Sequence, residues 1–273
     1  MSSCVASVWV CMCMGCCVRQ MAFMNTTASH AIRSQARHVN VASVLGAIYS
    51  RKARGTPSLS ILYELCDAGS LRDLLDNLAR SKSRRADEGE TVGMKSALHI
   101  VSEVAAGLAH LHGRLIIHRR LRPSKVLFSS TGAIKITDFG VPWREVAGTL
   151  ETYACTPEHA RYAAPEMLTC ADTATPSADV WSLGVIALHL FTGQAPCQGL
   201  SYEDIKSNIA RHGISLTFSK TPLVTRVQNR SLDVVVAKTA ARSEFLLTSC
   251  LAFHPGERVS ATKVIEICQD CGG

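Results

Sequence analysis

Four cations fall in one seven-residue stretch, at Arg119, Arg120, Arg122 and Lys125, and a carboxylate, Asp138, follows in an Asp-Phe-Gly run. Guanidinium and ammonium groups brought this close can gather an anion, but a solvated basic face is the commoner outcome and the one expected here. The other residues with chemical potential are thiols. Cys13 and Cys16, like Cys268 and Cys271, have C-x-x-C spacing, but the pairs lie at opposite ends of the chain. A shared zinc ion is therefore not expected, and the 12 cysteines read as reduced cytoplasmic thiols that pack as small hydrophobes.

Composition narrows the classes. Hydrophobic residues make up 47% of the 273 and charged residues 19%, enough apolar mass for a sizeable core and too much for wholesale disorder. The formal charge of +7 is spread along the chain, so no nucleic-acid partner is expected. Residues 1–18 carry no charge but lack the basic start and cleavage site of a secretory signal. The apolar run at 180–191 stops at Gly193 and Pro196, a length that suits a buried helix. We therefore expect a cytoplasmic chain with no membrane span.

The elements that must position these groups follow from periodicity. Residues 5–24 read as an apolar hairpin around Gly15, and 41–49 and 59–66 as two further strands. Ser70, with Asp73 three residues on, predicts a helix start, and Leu71, Leu74, Leu75 and Leu78 share one face. Residues 80–93 read as a surface loop and 96–112 as a second helix. Short strands at 125–129 and 133–137 turn at Thr131-Gly132. The remainder reads as helical, with a polar insertion at 211–231.

Residues 117–140, IHRRLRPSKVLFSSTGAIKITDFG, resemble the catalytic segment of eukaryotic protein kinases, H-R-D-L-K-P-x-N followed by D-F-G. RYAAPE at 161–166 resembles the family's A-P-E motif, and DVWSLGV at 179–185 the start of its central buried helix. LAFHPGERVSA at 251–261 resembles the closing segment with its arginine. LYELCDAGSL at 62–71 is similar to the hinge between lobes, and HVNVASVLG at 38–46 to the run before it. The wording is closest to Raf-like and MAP-kinase-kinase-kinase-like Ser/Thr kinases. The resemblance implies an α+β, two-lobe fold, with a shortened β lobe at 1–66 and a mainly helical lobe at 67–273.

Phosphoryl transfer needs a base, metal ligands, a braced lysine and a glycine-rich phosphate loop. By resemblance the base position is Arg120, which cannot accept a proton. Arg122 keeps a cation at the neighbouring lysine position. Lys125 stands at the position of the second metal ligand, where a cation repels Mg²⁺, and Asp138 remains as one metal ligand. CVRQ at 17–20 places Arg19 at the strand lysine, and Ser29 falls where its bracing glutamate belongs. ASVW at 6–9 matches only the tail of the glycine-rich loop.

Glu64 and Cys66 would offer backbone groups to an adenine, with Leu127 as its floor and bulky Tyr63 behind. The resemblance implies that the positions that hold the fold are kept: His118 and Phe139 would pack in the core, Asp179 would lie under the catalytic loop, and Glu166 would pair with Arg258. Thr149, Thr152, Tyr153 and Thr156 lie in the activation-segment equivalent, where a phosphate would face Arg119. We therefore expect a pseudokinase that binds a protein partner, with weak affinity for ATP and Mg²⁺. A Ser/Thr kinase acting on a protein substrate through altered residues is the alternative.

Overall fold

The computed structural model describes residues 18–21, 36–50, 58–84, 92–139, 156–169, 174–219, 225–228, 231–237 and 241–272. It is α+β, as expected. Three strands, β1 (Val18–Met21), β2 (Val44–Ser50) and β3 (Ser58–Tyr63), form an antiparallel sheet in the order β1-β3-β2. Arg19 lies opposite Ile61 in that ladder. The expected hairpin around Gly15, apart from 18–21, and the positions of Ala6 and Ser29 lie outside the described residues.

Helix α1 (Leu71–Arg84) begins where the sequence predicts. Asp73 Oδ2 accepts the Ser70 N–H at 2.8 Å while Ser70 Oγ accepts the Asp73 N–H, a reciprocal cap for two otherwise bare donors. The helix runs further than expected, through residues assigned above to a surface loop. Arg80, Lys82 and Arg84 favour helix, and no glycine or proline interrupts before Gly89. Helix α2 (Met94–His112) turns Ala97, Val101, Val104, Ala105 and Leu108 inward. A 3₁₀ turn (Pro123–Lys125) leads into β4 (Val126–Phe128), which pairs with β5 (Ile134–Ile136) across a turn with Gly132 at φ +82°.

Two short helices, α3 (Pro157–Tyr162) and α4 (Pro165–Thr169), precede α5 (Pro176–Thr192). Helix α5 is apolar all round and accordingly buried along nearly its whole length. Pro176 opens it and Gly193, left-handed at φ +65°, closes it by donating its N–H to His189 O. Gly184 permits close packing, because a Cβ there would lie 2.7 Å from Cys250 Cβ.

Beyond α6 (Tyr202–His212) the structure corrects the sequence reading. The expected polar insertion at 211–231 contains β6 (Ile214–Ser219) and β7 (Thr225–Gln228), and β8 (Ser231–Ala237) lies between them in a second three-stranded sheet. Apolar residues at 214, 216 and 218 alternate with polar ones, and 234–236 is a valine run, so both periods favour strand. Helices α7 (Ala241–Cys250) and α8 (Ala261–Gly272) complete the helical part, with α8 packed against α2.

The segment before β2 is locked to the helical part. Asn40, buried, donates from Nδ2 to Glu103 Oε2 at 2.6 Å and to Ile134 O at 3.0 Å. Its own carbonyl accepts the Ile136 N–H at 2.9 Å. Only glycine fits on the helix beneath, since a Cβ at position 107 would stand 2.7 Å from Asn40 O. Gly107→Ala should therefore cost about 1–3 kcal/mol, whereas Gly46→Ala, with nothing within 4 Å, should be nearly neutral. Denaturant midpoints compare the two, and equal midpoints would contradict this packing.

Candidate active site

Asp179, on the first turn of α5, is 1% exposed. Its Oδ2 accepts the His118 N–H at 2.7 Å and its Oδ1 the Arg119 N–H at 2.7 Å. His112 Nε2 lies 2.8 Å from the same carboxylate. These partners satisfy a buried acid that would otherwise be costly. They also hold Arg119 at φ +67°, a backbone state worth about 1–3 kcal/mol of strain in a residue with a side chain. The loop that follows is thereby drawn under the helical part.

Burial pushes His118 down to about 4, outweighing the Asp179 and Asp138 carboxylates that favour its charged form. Its neutral ring accepts the Arg120 N–H at Nδ1, 3.4 Å away, which leaves the proton on Nε2. Arg120 itself is 5% exposed. This corrects the expectation of a solvated basic face, because the loop folds inward on Asp179 and takes the arginine with it. Arg122 is also largely covered. Its Nε donates to Ser124 Oγ at 2.9 Å, its Nη1 lies 3.0 Å from His159 Nδ1, and Glu158 stands 3.9 Å away.

Lys125 and Asp138 meet directly. The Thr137 N–H donates to Lys125 O at 3.0 Å, setting the two short segments side by side. Lys125 Nζ then donates to Asp138 Oδ2 at 2.6 Å, with side-chain exposures of 15% and 9%. The cation thus sits on the carboxylate to which the resemblance gave a metal. This contact was missed in the sequence, although two positions that a family aims at one metal must also aim at each other.

The hinge residues lie along β4. Ala68 N–H donates to Phe128 O and Phe128 N–H to Gly69 O. Glu64 N–H donates to Ser43 O at 2.9 Å, and the Glu64 carboxylate accepts the Ser43 N–H at 2.6 Å and faces Lys135 Nζ at 3.1 Å. Burial raises the Glu64 acid, but these partners outweigh it and hold it below its ordinary range. Tyr63, Cys66 and Leu127 are buried nearby in the chain's fold. The backbone of Arg19 sits in β1, and its side chain lies outside the described residues. So do Thr149, Thr152 and Tyr153, while Thr156 caps α3 by accepting the His159 N–H.

Behind the site, Arg258 uses all five of its donors. Nη1 and Nη2 grip Glu166 Oε1 and Oε2 at 2.7 and 2.9 Å. The rest go to the carbonyls of Ala252, Ser177 and Phe253, and the guanidinium lies over Trp181 at 4.9 Å. The expected Glu166–Arg258 pair is present and joins α4 to α5 and the segment before α8.

Comparison with known proteins bears on these positions. The family model "Protein kinase domain" matches residues 19–267. Misshapen-like kinase 1 of Rattus norvegicus is 29% identical over 172 residues, covering 60% of this chain and 12% of that protein. The probable serine/threonine-protein kinase MARK-C of Dictyostelium discoideum is 33% identical over 172 residues, covering 63% and 20%. The serine/threonine-protein kinase mig-15 of Caenorhabditis elegans is 29% identical over 174 residues, covering 60% and 15%. The chain thus spans at most a fifth of the length of these relatives.

Two outcomes follow from the buried polar groups. Arg258→Ala takes the bidentate guanidinium away from the mostly buried Glu166 carboxylate and should lower stability by about 3–5 kcal/mol in denaturant melts. An unmoved midpoint would contradict the role of this pair. The second outcome concerns pH. His118 and His189 are both depressed by burial to about 4, from 6.5 in the unfolded chain. The unfolded state therefore binds more protons between those values, so stability is full above about 6.5 and is lost as pH falls toward 4, by at most roughly 3 kcal/mol each. A midpoint that stays flat from pH 7 to 5 would contradict the burial of neutral rings.

Proposed function

This chain belongs to the protein kinase domain family, and from that membership we propose that it works as a pseudokinase, a binding or scaffold module rather than a phosphotransferase. One observation carries the reading. The residue at the catalytic-base position is Arg120, buried and permanently cationic, so it cannot take the proton from a substrate hydroxyl. The covered cations at Arg122 and Lys125 support it, since both are engaged with neighbouring side chains of the fold.

The ligand in this reading is a protein partner, gathered by the helical part, with at most weak affinity for ATP and Mg²⁺ through Arg19, the hinge backbone at Glu64 and Cys66, and Leu127. The division into 1–66 and 67–273 belongs to the same proposal. A reducing, cytoplasmic setting suits the free, buried thiols of Cys66, Cys197, Cys250 and Cys268. Among the described residues no helix is long and apolar enough to cross a membrane. The finer Raf-like or MAP-kinase-kinase-kinase-like placement rests on motif wording alone. The alternative, a Ser/Thr protein kinase with altered residues, is favoured by the retained Asp138 and by the serine/threonine kinases among the relatives.

The chain, incubated with Mg-ATP and a generic Ser/Thr substrate, should transfer no phosphate above an Asp138→Ala control. Arg120→Asp should not restore transfer, because Lys125 would remain on Asp138. Loss of a general base alone costs about 10²–10⁴-fold. An Asp138-dependent signal from the unaltered chain would overturn the pseudokinase reading.

A further inference from the structure

We infer that the Lys125 ammonium is a built-in cation that takes the place of a divalent ion at Asp138, so that this cleft works without a metal. The inference shares the family fold with the preceding proposal but does not depend on the absence of transfer.

The geometry is that of a strong, charge-assisted pair. Nζ stands 2.6 Å from Oδ2, and both side chains are mostly withdrawn from water, so screening is weak. The pair is also held from the backbone. Lys125 ends a 3₁₀ turn in which its N–H donates to Arg122 O at 2.8 Å, and its carbonyl accepts from Thr137, the neighbour of Asp138. Asp138 is itself fixed at φ +61°. The chain path therefore sets the two residues side by side, within reach of the ammonium.

A Mg²⁺ or Mn²⁺ ion would have to bond an oxygen of the same carboxylate at about 2.0–2.2 Å. It would then lie against an ammonium, two positive centres within a few ångströms in a poorly hydrated site. Arg120 and Arg122 add positive charge on the same loop. Among the described residues no group of three or more His, Cys, Asp or Glu gathers to hold a metal. The residues present do not fit a divalent ion.

The test uses the chain and Mn²⁺ alone, followed by electron paramagnetic resonance of the free ion. The unaltered chain should leave the free-Mn²⁺ signal at the level of a protein-free blank. Lys125→Asn should bind Mn²⁺ at least about tenfold more tightly, a modest figure for removing a unit charge beside a divalent ion. Adding Asp138→Asn to it should abolish that gain. Lys125→Met, which keeps length without charge, carries the same test if the asparagine variant fails to fold by near-ultraviolet circular dichroism.

A second arm measures melting temperature with ATP in EDTA and with ATP in Mg²⁺, and the two shifts should be equal. Mn²⁺ binding by the unaltered chain that Asp138→Asn removes, a folded Lys125→Asn with no gain, or a Mg²⁺-dependent extra shift would each overturn the inference. Phosphate transfer without Mn²⁺ binding would sink the pseudokinase reading and leave this one standing. Mn²⁺ binding without transfer would do the reverse.

Discussion

The Asp179 carboxylate is the interaction on which the rest of the site depends. It is sealed beneath the loop at 118–120, where water cannot satisfy it, so its partners must come from the protein. Two of them are consecutive backbone N–H groups, and one belongs to a residue in the left-handed region. The loop therefore has little freedom. Arg120 is carried inward, Arg122 is set against α3, and the chain emerges into a 3₁₀ turn whose last residue faces Asp138. A change in the identity of a loop residue changes what the site contains without changing where the loop goes.

The support behind that loop has the same character. Helix α5 supplies Asp179 at one position and Trp181 two residues later, and Trp181 receives the Arg258 guanidinium. Arg258 reaches Glu166 and three carbonyls, so one side chain ties three segments that are distant in sequence. Framework of this kind is indifferent to catalysis. It stabilises a kinase-like cleft whether or not the cleft holds a base, so the fold is compatible with Arg120 and Lys125 at the positions that the proposal assigns to the base and a metal ligand.

Much of this was legible in the sequence, because the features concerned are local or carried by motif. The Ser70 cap, α2, the β4–β5 turn at Gly132 and the Glu166–Arg258 pair all follow from short spacings or from residues that the resemblance places together. Four features were not. The second sheet was hidden because 214–218 alternate in a polar region, and β6 pairs in parallel with β8 across the intervening β7 segment of the chain. The extension of α1 to Arg84 was hidden because charged residues favour surface loop and helix alike. The burial of Arg120 was hidden because an arginine's type argues for solvent, and only the pull of Asp179 on the loop argues otherwise. The Lys125–Asp138 contact was hidden because it joins residues 13 apart in sequence, across the β4–β5 pair and its turn.

A kinase-like framework that delivers its own cation to Asp138 should leave no metal bound there. The most direct measurement is a crystal structure of the chain grown with ATP and Mn²⁺, with an anomalous difference map recorded at the manganese edge. Lys125 Nζ should stand in hydrogen-bond contact with Asp138, the His118 and Arg119 N–H groups should lie on Asp179, and no anomalous peak should appear at the Asp138 carboxylate. A manganese peak in bonding distance of Asp138, with Lys125 displaced, would contradict it.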